Sequence, residues 1–280
     1  MKEIYVIGSE GYIGTKLYNR LIREYKVNRV DLEADINLDL CHPELFDFDI
    51  LNSDTIIFTA AMSSPDICEK NFEMAYNINV IGTIYFITEA IKHNCKVLFF
   101  SSDAVFGFNK EIVNEHSETS GDTAYGKMKK KVEDYFKDNS LFKAIRLSYV
   151  FSKYDRYTSY LVQCSEENST AEIYHPFYRN VVTIDDVIDV VHWLIENWMG
   201  FDNPFLNVCG KELVSRVRIA DEIIRYTGLK LDYKIKYPGN EFYKNRPAIL
   251  EMQSIYIDQI LDSGESFYQK VKKQLKKEEL

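Results

Sequence analysis

The stretch that most constrains this chain is an apolar run ending on glycine, Ile4-Tyr5-Val6-Ile7-Gly8, followed by Ser9-Glu10-Gly11-Tyr12-Ile13-Gly14. Three glycines spaced G-x-x-G-x-x-G, directly after a strand-like run and at the mouth of a helical pattern, mark the turn where a parallel α/β unit passes from strand to helix. Gly8 suits the tight turn, Gly11 lets backbone approach a pyrophosphate, and Gly14 lets the helix pack close to the strand. The first N–H groups of that helix then face the anion. A dinucleotide site is expected here, with Gly8, Gly11, Tyr12, Ile13 and Gly14 as its contacts. A purely structural turn is the competing reading.

Downstream, short apolar runs alternate with longer helical patterns. The runs at 4–8, 55–61, 96–102 and 142–151 are continuous rather than alternating in hydrophobicity, as strands covered on both faces are. Between them, 11–25, 68–94 and 122–139 carry apolar residues at helical spacing. This alternation predicts an α/β fold with a doubly wound, Rossmann-like parallel sheet. Beyond about residue 150 the pattern loosens into helices near 185–198, 215–227 and 266–277 with turns between them. The expected organisation is a dinucleotide-binding domain over 1–150 and a smaller substrate-binding lobe over 151–280. The two are expected to interweave, because no linker, repeat or low-complexity stretch separates them.

Composition narrows the partners. A chain of 280 residues, 46% hydrophobic and 28% charged, can bury a sizeable core. Its formal net charge of −9 argues against nucleic acid, which asks for a concentrated positive field. The opening apolar run is too short for a signal segment or a span, and no later stretch reaches spanning length, so no membrane association is expected. Cys41, Cys68, Cys95, Cys164 and Cys209 lie far apart with no C-x-x-C, which signals neither zinc nor disulfides and fits reduced thiols in a cytoplasm. The histidines show no ligand spacing, and no metal is expected. Near the far end, Phe267, Val271 and Leu275 recur every fourth residue between lysines. A helix packed on the body is expected there rather than one lying on a membrane.

A second cofactor signal closes the next strand, where Asp31 falls 17 residues after Gly14. A carboxylate at that point accepts hydrogen bonds from the adenosine ribose and repels a 2′-phosphate. No basic residue directly follows it and Glu33 adds negative charge, so NAD is expected over NADP, with NADP left open and Glu33 as an alternative acceptor. Ala60 and Ala61 end the "TIIFTAA" run, where small side chains let a cofactor approach or simply pack closely.

Residues 123–131, "TAYGKMKKK", set Tyr125 and Lys129 one helical turn apart on a shared face. Read alone, this is equally a solvated helix start. Together with the glycine loop and "FFSSDAVFG" (99–107), however, it resembles the extended short-chain dehydrogenase/reductase family, also called NAD-dependent epimerase/dehydratases, most of all its dTDP-4-dehydrorhamnose reductase branch. The likeness extends to 66–83, to "RNVVTIDDVIDVV" (179–191) and, more weakly, to "NRPAIL" (245–250). Carried over position by position, the resemblance implies Ser102, Tyr125 and Lys129 as the catalytic set, with Tyr125 and Lys129 also touching cofactor. It implies Asp39 and Leu40 beside the adenine, and Asp103, Arg179 and Arg246 on the substrate. A forked guanidinium suits a nucleotide-sugar pyrophosphate.

The residue types make chemical sense in those roles. A free tyrosine titrates near about 10, and an ammonium one turn away favours the phenolate, so the Tyr125 phenol is expected to be tuned downward toward acid–base work. The resemblance implies an oxidoreductase that reduces a nucleotide-linked 4-keto sugar with NAD(P)H, in polysaccharide biosynthesis. A nucleotide-sugar epimerase with retained NAD and a non-catalytic NAD-binding regulatory subunit are the alternatives. Resembling dehydratases carry an Asp-Glu pair where this chain has Asp103-Ala104, which disfavours elimination. Ser102 and Ala104 also stand where resembling rhamnose reductases show threonine and an aromatic, so the sugar stays open. Helices 68–94 and 122–139 match the surface through which resembling proteins form homodimers.

Overall fold

The structure, a computed structural model, describes residues 3–261 and 264–276. Its centre is a seven-stranded sheet in which Phe205–Val208, β6 (Phe142–Leu147), β5 (Lys96–Ser102), β4 (Thr55–Phe58), β1 (Glu3–Ile7), β2 (Lys26–Asp31) and β3 (Ile36–Asn37) lie side by side in that order. β1 pairs in parallel with β2 and with β4, β2 with β3, and β4 with β5. The fold is the expected Rossmann-like α/β class. Every residue of β4 and β6 is buried, which explains why these strands read as unbroken apolar runs. The chain winds from β1 outward to β2 and β3, then returns to place β4 on the other side of β1. The crevice beyond the ends of β1 and β4 is therefore the switch point, where ligands of such sheets bind.

Helices α1 (Tyr12–Leu21), α4 (Thr83–Lys92) and α5 (Ala124–Phe136) follow β1, β4 and β5. Phe46, Phe58, Phe86, Phe99, Phe136 and Phe142 form part of one buried cluster around the sheet. The helix expected over 68–94 is not continuous. α2 (Pro65–Lys70) begins with Pro65 under a Ser64 cap, and α3 (Phe72–Tyr76) restarts after Asn71, whose backbone leaves helical geometry. Asn77–Gly82 then form a π-turn leading into α4. Gly82 sits where a Cβ would lie 1.9 Å from the Leu40 carbonyl oxygen, so helix and loop touch through backbone. The strand expected over 142–151 also divides: β6 ends at Leu147, and Val150–Phe151 pairs instead with Val182–Thr183.

Two compact units divide the chain. The first comprises 1–107, 117–146 and 190–206, and the second 108–116, 147–189 and 207–280. The second has its own core, built from Phe151, Leu161, Ile173, Val214, Ile223 and Val271 among others. α6 (Arg156–Glu166) and the helices Arg216–Thr227 and Phe267–Lys276 contribute to that core. The last of these buries Phe267 and Val271, with Leu275 packed against the same cluster. Residue 277 of the expected helix lies outside the described residues. Among the described residues no helix is long and apolar enough to cross a membrane, and no group of His, Cys, Asp or Glu is arranged for a metal. The five cysteines are free thiols.

Candidate active site

The glycine loop is shaped by backbone contacts. Gly8 has φ +86°, and a Cβ there would lie 2.6 Å from the Ala60 nitrogen, so the turn accepts only glycine. A Cβ at Gly14 would fall 2.1 Å from the Gly8 carbonyl oxygen, which is how α1 comes down onto the end of β1. Gly11 is different, since its Cβ would meet only that same oxygen at 3.1 Å. That approach is close but milder than at Gly8 or Gly14, so the fold constrains position 11 less tightly. α1 opens on Gly11 without a capping side chain. Its first N–H groups are thus available to an anion, and a pyrophosphate fits the cradle.

Thr59 and Ala60 donate their N–H groups to the Ile7 carbonyl at 2.8 and 3.0 Å, which brings half-buried Ala60 and Ala61 to the mouth of the loop. Asp31, at the tip of β2, accepts from the Glu10 and Leu32 backbone N–H groups at 3.0 and 2.8 Å. It is thereby tied to the glycine loop. Asp39 accepts from the Cys41 N–H at 2.8 Å, and Leu40 is buried with its carbonyl against Gly82. Asp39 and Leu40 therefore have a structural task in this turn. Tyr12 is more than a third exposed at the start of α1, and Ile13 follows it half-buried.

Ser102 ends β5 and Tyr125 lies in the first turn of α5, with Lys129 one turn beneath it. Thr123 caps α5 by accepting the Gly126 N–H at 3.1 Å. A Cβ at Gly126 would lie 2.3 Å from the Ala104 carbonyl oxygen, so α5 packs directly on the turn that follows Ser102. Ser102 Oγ donates to Asp103 Oδ1 at 3.1 Å and accepts from the Ala104 N–H at 3.2 Å. Lys129 is 2% exposed; its Nζ donates to the Phe100 carbonyl at 2.7 Å and stands 5.9 Å from the Tyr125 ring centroid. Ser102, Asp103, Tyr125 and Lys129 are thus drawn to the carboxyl end of β5.

The electrostatics overturn one expectation. The Tyr125 phenol is not tuned downward: desolvation, with the neighbouring Cys68 and Asp103, pushes it above the ordinary tyrosine value. Burial also lowers Lys129 to about 7, against an opposing pull from Glu133. An ammonium deprived of water is easily neutralised, so desolvation outweighs the lysine–phenol attraction that spacing alone suggests. In this protein the tyrosine rests as an acid.

Sequence reasoning missed two supporting groups. Asn79, 2% exposed in the π-turn, accepts the Met62 N–H at 2.8 Å and donates back to the Met62 carbonyl at 2.9 Å. It thereby pins the segment after Ala61 beside Met128. Its signal was a polar amide at a helix-interior apolar position. Glu133, one turn beyond Lys129, is 1% exposed and forms a two-pronged pair with Arg146, whose Nη2 lies 2.7 Å from Glu133 Oε2.

Arg179 and Arg246 belong to the second unit, whereas Ser102, Tyr125 and Lys129 belong to the first. Arg179 donates to the Tyr178 and Pro247 carbonyls at 2.6 and 2.9 Å, and its guanidinium lies 4.7 Å from the Phe177 ring. Arg246 lies 4.8 Å over Phe242. The Pro247 contact brings the two arginine segments together on one aromatic patch.

The family model described as RmlD substrate binding domain matches residues 1–262. A dTDP-4-dehydrorhamnose reductase of Aggregatibacter actinomycetemcomitans is 31% identical over 139 residues, 48% of this chain and 46% of the relative. The chain spans about half the length of the curated relatives it matches. Among solved structures, a dTDP-4-dehydrorhamnose reductase from Clostridium acetobutylicum superposes with TM-score 0.83 at 22% identity, covering 98% of both chains. MoeE5 in complex with UDP-glucose and NAD gives 0.82 at 18%, covering 98% of this chain and 97% of its own. A Bacillus anthracis dTDP-4-dehydrorhamnose reductase in complex with NADP gives 0.80 at 20%, covering 92% of both chains. At these identities the structural likeness speaks for the fold.

Proposed function

The chain belongs to the RmlD substrate binding domain family, and from that premise we propose that it is a nicotinamide-dependent reductase of a nucleotide-linked 4-keto sugar. The carrying observation is the convergence of Ser102, Tyr125 and buried Lys129 on the end of β5. A binding-only protein has no use for a desolvated lysine there. The reduced dinucleotide, which the glycine loop would cradle with Asp31 on its ribose, would supply a hydride to the keto carbon and leave in its oxidised form; one neighbour is described in complex with NAD and another with NADP. Tyr125 Oη gives its proton to the keto oxygen as that oxygen becomes an alkoxide, which is the role of a phenol held in its neutral form. Ser102 Oγ turns from Asp103 to donate to the same oxygen. Lys129 Nζ offers a proton near neutrality from beneath the ring. Arg179 and Arg246 are assigned to the pyrophosphate of the nucleotide sugar.

Turnover settles the reading. The protein is supplied with NADH and a panel of dTDP-, UDP- and GDP-linked 4-keto sugars, and loss of reduced-nicotinamide absorbance is followed. Stoichiometric consumption with at least one sugar is expected. Retention of NAD through purification, with sugar inversion and no net consumption, would identify an epimerase instead. Binding of dinucleotide with neither activity would leave the regulatory-subunit reading.

A further inference from the structure

We propose that the Glu10–Arg29 ion pair is this chain's gate against a 2′-phosphorylated dinucleotide, with Glu10 holding in check a guanidinium placed to take that phosphate. The inference rests on the dinucleotide reading of the glycine loop. Arg29 lies two residues before Asp31 on β2, so both side chains leave the strand on one face. On that face the Arg29 guanidinium sits 5.2 Å from the Tyr18 ring of α1 and pairs through Nη2 with Glu10 Oε1. The Glu10 backbone N–H meanwhile donates to Asp31 Oδ2 at 3.0 Å. Two carboxylates and one guanidinium therefore meet at the tip of β2, where the adenosine ribose belongs.

That charge arrangement selects. A ribose diol donates to carboxylates, whereas a 2′-phosphate brings about two negative charges beside Asp31 and Glu10. Arg29 is the cation placed on this face to compensate them, and Glu10 already occupies it. The pair is roughly a third to a half exposed, 35% for Arg29 and 44% for Glu10, so it adds little to stability and its position asks for another purpose. Truncating Glu10 preserves the N–H that Asp31 accepts, because that group is backbone.

The test compares dissociation constants for NADH and NADPH, by nucleotide fluorescence or calorimetry, in the wild type, Glu10→Ala and Glu10→Ala/Arg29→Met. The wild type is expected to prefer NADH. Glu10→Ala should shift the NADPH-to-NADH affinity ratio toward NADPH by roughly tenfold, the effect of removing one repulsive charge and freeing one cation. The double variant should lose that gain. A ratio unchanged in Glu10→Ala overturns the proposal, and a gain that survives Arg29→Met overturns the role of Arg29. A wild type that binds NADPH as tightly as NADH refutes the gate while leaving the dinucleotide site standing. A wild type and variants that bind neither nucleotide overturn the proposed function and this inference with it.

Discussion

At the scale of single residues, Tyr125 and Lys129 show how burial reverses an argument made from spacing. Four-residue spacing put the pair on one face, and the structure agrees; the expected lowering of the phenol pKa fails because Lys129 is buried and the half-buried Tyr125 is largely shielded from water. No sequence pattern reports desolvation, since it depends on what other elements bring against a side chain. Tyr125→Phe should retain NADH affinity within a few-fold yet lower kcat by about 10²–10⁴, since it removes only the proton given to the alkoxide. Equal turnover by the two proteins would remove Tyr125 from the chemistry. Lys129→Met should abolish turnover while stabilising the cofactor-free fold. Lys129 titrates near 7 when folded against an ordinary 10.5, so below pH 7 it is charged in both states and its full burial cost is present. Between those values the unfolded chain binds more protons, and wild-type stability rises with pH. The gain from methionine should be about 1–3 kcal/mol at pH 6 and fade toward pH 10 in denaturant unfolding. A methionine variant less stable at pH 6 would show that the bond to the Phe100 carbonyl outweighs burial.

Among the elements, the strand-to-helix turn after β1 was the most legible, because glycine spacing is a direct record of backbone approach. The three glycines nevertheless differ in kind, which the spacing alone does not show. Gly11→Val should fold and lose dinucleotide binding, since its Cβ meets only the Gly8 oxygen, at 3.1 Å, while the rest of the side chain would crowd the pyrophosphate proposed for this loop. Gly14→Ala should instead fail to fold normally, with its Cβ placed 2.1 Å from the Gly8 oxygen. Circular dichroism beside an NADH titration separates the two losses, and a well-folded Gly14→Ala that binds NADH would contradict the packing argument. The helical stretch 68–94 was less legible. Its helical period continues through 77–82 with only Asn79 out of pattern, yet that stretch is a π-turn packed against Leu40 and the Met62 backbone. α5 hides a similar lesson in Glu133, which a charge count assigns to solvent. It is instead paired with Arg146, whose guanidinium lies 4.1 Å from Phe205 and whose Nη1 already lacks a partner. Glu133→Ala would strand that buried cation and should cost roughly 3–5 kcal/mol by chemical denaturation.

Over the whole molecule, the strand–helix alternation made the sheet readable, whereas nothing in composition tells which distant segments share a unit. Residues 108–116 are the clearest case. They separate β5 from α5 in the chain, yet they join the second unit together with 147–189 and 207–280. The attachment is polar and specific. Glu115 is 6% exposed, and its carboxylate accepts the Asn207 N–H at 3.0 Å, the Ile255 N–H at 2.9 Å and the Ser254 hydroxyl. Val113 adds backbone bonds on either side of Met252: its N–H donates to the Glu251 carbonyl at 3.0 Å, and its carbonyl accepts the Gln253 N–H at 2.8 Å. One buried carboxylate thus closes segments separated by 92 and 140 residues, and removing it takes the acceptor from the buried Asn207 N–H and from the part-buried Ile255 N–H. A buried N–H left so costs about 1–3 kcal/mol. Glu115→Ala should therefore loosen the second unit, seen as faster hydrogen exchange at 108–116, 207–209 and 251–257. The glycine loop, Asp31, Ser102, Tyr125 and Lys129 all lie in the first unit, so NADH affinity should be kept while turnover on the keto sugar falls. Exchange that rises equally across β1, β4 and β5, with NADH binding lost in parallel, would show that the carboxylate holds the entire molecule together rather than the unit around Arg179 and Arg246.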